Sequence, residues 1–200
     1  MNPKISDFGL AKSFADDEET KRTNRICGTV GYMAPEYAKH GIYSMKTDVY
    51  SYGVLMLEII SGRKINSFYN NDRAVDLAGY VCRKPLFFLL GQAWALWKEG
   101  AALELVDPKI EVSSKDKDQL LRCIHVGLLC TEENDDKRPT MSDVIFMLTN
   151  DRVPLPEPTM RAFIIDGNGA ETTSINGLSI LGQNETAFVY EHPVFVKNRR

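Results

Sequence analysis

The chain has 200 residues, 44% of them apolar, and its 24 Lys and Arg nearly balance its 27 Asp and Glu for a net charge of −3. That length suits one packed domain with appendages, and the interspersed signs form no basic patch, so no nucleic-acid partner is expected. The longest apolar stretch, Leu86 to Trp97, is interrupted by Gly91 and Gln92 and falls short of the roughly 20 residues of a membrane helix, so no membrane span is expected.

At the amino terminus, Met1 to Leu10 lacks a basic region followed by an apolar core, so no secretory signal is visible. Pro3 to Ser6 reads as a short extended segment leading into Asp7-Phe8-Gly9, where glycine permits a turn. From Ser13 to Cys27 the composition turns polar: Asp16, Asp17, Glu18 and Glu19 precede Thr20, Lys21, Arg22, Thr23, Asn24 and Arg25. Such a block buries little apolar area by itself, which predicts a mobile loop.

The strongest helix is predicted from Ser44, an N-cap, through "KTDVYSYGVLMLEIISG" to a stop at Gly62. Between Val49 and Ile60 only Ser51 and Glu58 are clearly polar, and a helix apolar almost all round belongs in the middle of a domain. A second helix is predicted over Asp118 to Thr131, with Leu121, Ile124, Leu128 and Leu129 recurring at helical intervals. A third starts in "KRPTMSDVIFML", with Thr140 as N-cap and Asp143 placed to close a capping box. After Asn150, "VPLPEP" reads as an extended spacer that ends the packed domain, with a poorly ordered tail beyond.

Cys27, Cys82, Cys123 and Cys130 form no C-x-x-C pair and have no histidine at zinc spacing, so they are read as reduced thiols. His40, His125 and His192 are scattered and propose no metal site. His125, inside a helical apolar segment, is read as a packed or partly exposed helix residue.

The larger pattern is an ordered set: Asp7-Phe8-Gly9, then "GTVGYM", then Ala34-Pro35-Glu36, then "TDVYSYGV", then "KRP". It resembles the activation segment and helical lobe of a eukaryotic protein kinase. "NRICGTVGYMAPEYAKHGIYSMKTDVYSYGVLMLEIISGRK", "CIHVGLLCTEENDDKRPTMSDVIFML" and "SINGLSI" are similar to plant receptor-like serine/threonine kinases, within them the S-locus or G-type lectin group. The implied fold is mainly α, the helical C-terminal lobe of the protein-kinase-like α+β fold without its N-terminal lobe. Residues 1–150 would be the partial kinase domain, and 151–200 the spacer and receptor-kinase tail.

The resemblance also implies roles. Asp7 would be the Mg²⁺ ligand of an Mg·ATP complex, and Phe8 would pack under the nucleotide cleft and set its direction. Gly9 completes that triplet. Thr20, Thr23 and Ser13 are candidate phosphorylation sites, where added phosphate would draw in Arg22 or Arg25. Gly28, Thr29, Gly31 and Tyr32 resemble the segment where a protein substrate's hydroxyl residue docks, and Thr29 the threonine that marks serine/threonine preference. Glu36 and Arg138 would form a structural ion pair. Asp48 would anchor the catalytic loop, or, read from position alone, serve as an acidic residue favoured at a helix start.

Several family parts are not found in residues 1–200: a glycine-rich phosphate loop, a cleft lysine with its helix glutamate, and a His-Arg-Asp catalytic loop. The chain is therefore expected to start within a longer reading frame and, alone, to phosphorylate nothing, with ATP and Mg²⁺ serving only the complete kinase. In relatives "LAGY" runs directly into "AW", so residues 81–92 read as an insert, as a retained intron would leave, and "PLFFLLG" would be an exposed apolar loop or helix extension. The parent protein is expected at the plasma membrane with a cytoplasmic kinase domain, and this chain in the cytoplasm. The rival reading is a noncatalytic helical lobe acting as a decoy that binds kinases or their substrates. The final "LGQNETAFVYEHPVFVKNRR" departs from the family tail and is assigned no role.

Overall fold

The computed structural model describes residues 4–15, 19–29, 31–64 and 84–159, and two later strands at 178–180 and 187–191, with backbone alone at 84–88 and in those two strands. Cys82, His192 and tail residues 160–177 lie outside the described residues. In chain order the elements are β1 (Thr20–Arg22), β2 (Arg25–Thr29), α1 (Pro35–His40), β3 (Ile42–Ser44), α2 (Met45–Ser61), α3 (Lys84–Lys98), α4 (Lys117–Cys130), α5 (Met141–Thr149), β4 (Leu178–Ile180) and β5 (Ala187–Glu191).

α2 is the central helix. Ser44 caps it, its Oγ accepting the Lys46 N–H at 3.0 Å, and Gly62 ends it in the left-handed region at φ 64°. Glycine is required there, because a Cβ would stand 2.1 Å from Asp107 Oδ2. The Asp107 N–H in turn donates to the Ile60 carbonyl at 2.9 Å, so the helix end is satisfied by the chain that follows α3.

α2 crosses α4 at close range because both helices present glycine. A Cβ on Gly53 would meet the Cys130 Cβ at 2.5 Å, and one on Gly127 would meet Leu57 Cδ2 at 3.0 Å. Around that crossing, Tyr50, Val54, Leu57 and Ile60 of α2 join Ile124 and Leu128 of α4 and Leu89, Leu90 and Ala93 of α3 in one buried cluster. A smaller cluster, Val49, Val126, Cys130 and Val144, fastens α5 to the other side of the crossing. Within it burial pushes the Cys130 thiol up to about 12. The expected capping box is present: the Thr140 Oγ1 accepts the Asp143 N–H at 3.1 Å, and Asp143 Oδ2 accepts the Thr140 N–H at 2.9 Å.

Four expectations change. First, residues 84–92 of the supposed insert form the start of α3, and Leu89 and Leu90 are buried at 1% and 2% exposure. Of the two alternatives the helix extension holds and the loop does not, and Leu89 and Leu90 are part of the core rather than exposed. Second, α2 is not enclosed all round, since Met45, Leu55 and Ile59 are exposed while α3, α4 and α5 cover its other sides.

Third, the block from Ser13 to Cys27 is not all loop. β1 pairs antiparallel with β3, and β2 pairs antiparallel with β5, which also pairs with β4. Distant partner strands supply the backbone hydrogen bonds that local composition did not reveal. Fourth, the extended stretch after Asn150 does not end the packing, because α4 and the residues just after it hold it. Arg122 donates to the Asn150 and Val153 carbonyls at 2.7 and 3.0 Å, His125 Nε2 meets the Pro156 carbonyl at 2.7 Å, and Glu132 accepts from the Thr159 hydroxyl at 3.1 Å.

Candidate functional site

Side-chain hydrogen bonds tie α1 to β2 and the turn between them to α2. The hinge is tyrosine chemistry. The Tyr37 hydroxyl, on α1, accepts the Cys27 N–H at 2.9 Å and donates to the Cys27 carbonyl at 3.0 Å, which ties α1 to β2. Tyr32 ties the intervening turn to α2: its hydroxyl donates to Glu58 Oε2 at 2.5 Å, and its carbonyl accepts from Ser51 Oγ at 2.7 Å. Burial first, and the Glu58 carboxylate second, raise the Tyr32 phenol above its ordinary value, so it stays a donor.

Gly28 and Gly31 take positive φ, at 145° and 101°, and the Tyr32 N–H donates to the Thr29 carbonyl at 3.2 Å. Such angles suit glycine because other residues meet Cβ clashes there. Gly28, Thr29, Gly31 and Tyr32 thus form a bent, partly buried platform with the Thr29 side chain exposed.

Glu36 and Arg138, 102 positions apart, meet in a two-pronged contact: Nη1 to Oε1 at 2.8 Å and Nη2 to Oε2 at 3.1 Å. Arg138 is 1% exposed. A guanidinium carries five N–H donors, and the remaining three reach the Lys46 carbonyl at 2.8 Å and the Glu132 carbonyl at 3.2 and 3.0 Å. The Lys46 ammonium donates back to the Arg138 carbonyl, and the Tyr50 ring lies 5.1 Å beneath the guanidinium carbon. A charge taken this far from water is tolerated only when its donors are matched in this way.

Asp48 sits exposed on the first turn of α2, and desolvation raises its carboxyl above the ordinary value. Thr20 is exposed on β1, whereas the Thr23 hydroxyl is engaged, donating to the Arg25 carbonyl and accepting the Arg25 N–H, both at 3.1 Å. Ser13 is exposed and its carbonyl accepts from Lys21 Nζ at 2.8 Å.

Asp7, Phe8 and Gly9 stand apart from this cluster. Their turn makes its own bonds, with Gly9 N–H donating to Asp7 Oδ1 at 3.4 Å and Ala11 N–H to the Phe8 carbonyl at 3.0 Å. Asp7 has φ 62°, a left-handed angle that Asp tolerates better than most side chains. Phe8 is 68% exposed among the described residues, not packed under a cleft as expected. Mg²⁺ shared with nucleotide phosphates needs only one or two protein carboxylates, and Asp7 fits as one of them. Among the described residues no group of three or more His, Cys, Asp or Glu is placed to hold an ion unaided.

The structure thus joins Gly28, Thr29, Gly31, Tyr32, Glu36 and Arg138 around the start of α2. Ser51, Glu58 and Tyr37 escaped sequence reasoning. Ser51 and Glu58 were legible only as the two polar breaks in an apolar helix, and Tyr37 gave no signal.

A sequence profile described as the protein kinase domain matches residues 1–147. The chain belongs to the protein kinase family. Its relatives include receptor-like kinases from Arabidopsis thaliana. It is 46% identical to cysteine-rich receptor-like protein kinase 10, over 96% of this chain and 28% of that protein. It is also 46% identical to receptor-like serine/threonine-protein kinase SD1-8, over 87% of this chain and 19% of that one. The chain therefore spans between about a fifth and just over a quarter of these relatives' length. Equal identity to the two does not single out the S-locus or G-type lectin group that the motifs suggested. Among solved structures, the pseudokinase domain of BIR2, an immune regulator of the RLK/Pelle family, aligns at TM-score 0.46 and 24% identity, over 60% of this chain and 32% of that one.

Proposed function

We propose that residues 1–150 are the activation segment and helical lobe of a plant receptor-like kinase that transfers phosphate from Mg·ATP to Ser or Thr of a protein substrate. The observation that carries this reading is the Glu36–Arg138 contact, in which the end of the segment before α2 is clamped to a buried arginine after α4. Glu36 and Arg138 hold the platform Gly28–Tyr32 against α2, and Tyr32 fixes its inner end through Glu58. On that platform a substrate strand carrying a hydroxyl residue lies beside Thr29.

Bound Mg·ATP supplies the phosphoryl group, and Asp7 is the residue of this chain that would hold its metal. Exposed Thr20 is the better placed phosphorylation site of the two threonines, because the Thr23 hydroxyl already closes a turn. The whole protein works at the plasma membrane with this portion on the cytoplasmic side.

These 200 residues alone transfer no phosphate, since they hold neither a proton-accepting aspartate in a catalytic loop nor a cleft lysine, and positioning dominates phosphoryl transfer. A second reading, a noncatalytic lobe that binds other kinases or their substrates, draws on the exposed Met45, Leu55 and Ile59 of α2. The test is radiolabelled Mg·ATP with a generic acceptor protein. The chain alone gives no labelled product. A chimera carrying the upstream kinase portion of cysteine-rich receptor-like protein kinase 10, checked for folding by circular dichroism, labels Ser or Thr and loses this with Asp7→Asn. Labelling by the chain alone overturns its inactivity, and a folded but silent chimera favours the second reading.

A further inference from the structure

The carboxyl-terminal segment that the family resemblance left without a role reappears as β5, laid along the whole of β2. The register runs Arg25↔Glu191, Ile26↔Tyr190, Cys27↔Val189, Gly28↔Phe188 and Thr29↔Ala187. β2 ends at Gly28 and Thr29, the first residues of the platform described above. β4 then backs β5 on its far side, so the tail adds a two-stranded unit to an otherwise single strand.

We propose that β2 presents a strand-accepting edge for an extended polypeptide, and that Ala187–Glu191 is its built-in occupant, which an incoming peptide must displace. Pairing to a strand edge draws affinity from main-chain bonds and specificity from what stands opposite each position. Here the register sets an acidic residue opposite the exposed Arg25, and aromatic Tyr190 opposite the buried Ile26. Opposite charges and aromatic–aliphatic pairs directly across an antiparallel ladder are both favourable. The preferred guest is therefore an antiparallel segment with an acidic residue at the Arg25 position and an aromatic one next to it.

Two physical points make the tail an effective competitor. An unpaired edge is a template that native proteins cover, and a tethered strand acts at the effective concentration set by its linker, so a free peptide binds only against that advantage. The functional meaning rests on the proposed reading of Gly28–Tyr32 as a substrate dock. The strand exchange itself does not, and its test contains no phosphotransfer.

The test uses the full chain and the double variant Phe188→Pro/Val189→Pro. Successive residues of a strand direct their N–H groups to opposite neighbours, so two adjacent prolines remove a bond to β2 whichever parity holds. The Arg25 and Cys27 amides are held by the Thr23 and Tyr37 hydroxyls, so Ile26 and Gly28 are the ones that face β5: in the wild-type chain their amides are protected from hydrogen exchange, and in the double variant they exchange at least about tenfold faster. A fluorescent peptide of residues 186–192, "TAFVYEH", binds the double variant at least about tenfold more tightly than the wild type. Arg25→Glu in the double variant weakens that binding, and a peptide with Glu191→Arg recovers it. Unchanged exchange at Ile26 and Gly28, equal peptide affinity for the two chains, or no peptide binding to the double variant each overturn the proposal. If exchange and binding behave as stated while a Ser/Thr acceptor peptide fails to compete with "TAFVYEH", the strand edge stands and the substrate-dock reading falls.

Discussion

The Arg138 guanidinium is enclosed, and each of its N–H donors is spoken for by Glu36, Lys46 or Glu132. Arg138→Lys preserves the charge but brings three rotatable donors in place of a planar five-donor fork. Stranding Glu36 and two carbonyls in this way is expected to cost roughly 3–5 kcal/mol, measured by urea unfolding followed by circular dichroism. His125 behaves differently. Its ring lies 4.3 Å from that of Trp97 and contacts the Pro156 carbonyl, with Arg122 and Glu157 nearby. Burial, partly opposed by the Pro156 contact, lowers its pKa below the ordinary 6.5. As pH drops through 6.5 the unfolded chain takes the proton first, so stability present above 6.5 declines towards the lower folded value. His125→Phe should flatten this part of the stability–pH curve between about pH 7.5 and about pH 5.5, read from urea midpoints.

At the level of elements, α2, α4 and α5 were legible because each carries its own instructions. Ser44 and Thr140 cap two of them, Gly62 stops one, and buried residues recur at helical spacing in α4. α3 was missed. Its sequence is apolar on most sides and contains Gly91 and Gln92, so periodicity gave no single face, and only contact with Ala102, Leu105 and Ile124 decides which side chains are buried. β1 and β2 were missed for another reason: three- and five-residue strands in a polar block exist through partners at Ile42–Ser44 and Ala187–Glu191. The close crossing of α2 and α4 was equally invisible, since a glycine within a helix pattern reads locally as a weak spot. Gly53→Ala would gain helix propensity yet drive a methyl into the Cys130 side chain and the Gly127 carbonyl. A net loss of roughly 1–3 kcal/mol is expected, seen as a lower Tm in differential scanning calorimetry.

Over the whole molecule, the functional cluster was legible as a list but not as a geometry. "APE" and "KRP" name Glu36 and Arg138, and their spacing in sequence says nothing of the carbonyls that complete the site. The segment after α5 repeats the lesson. Its prolines suggested an independent spacer, yet Arg122 alone reaches the carbonyls of Met147, Asn150, Asp151 and Val153. Removing that side chain by Arg122→Ala should release residues 150–157 to limited proteolysis several-fold faster, while the helical circular dichroism of the remainder persists. Unchanged cleavage there would show that His125 and Glu132 suffice to hold the segment.

The seating of Cys130 between Val49, Val126 and Val144 has a practical corollary. Its sulfur is fully covered, and with a pKa of about 12 it is almost entirely un-ionised at neutral pH. Alkylating reagents attack the thiolate, so this atom stays silent until the α2–α4–α5 junction comes apart. The rate at which iodoacetamide modifies it, resolved by mass spectrometry of the peptide that contains it, is therefore a native clock for opening of the molecule's centre, ticking without any engineered probe.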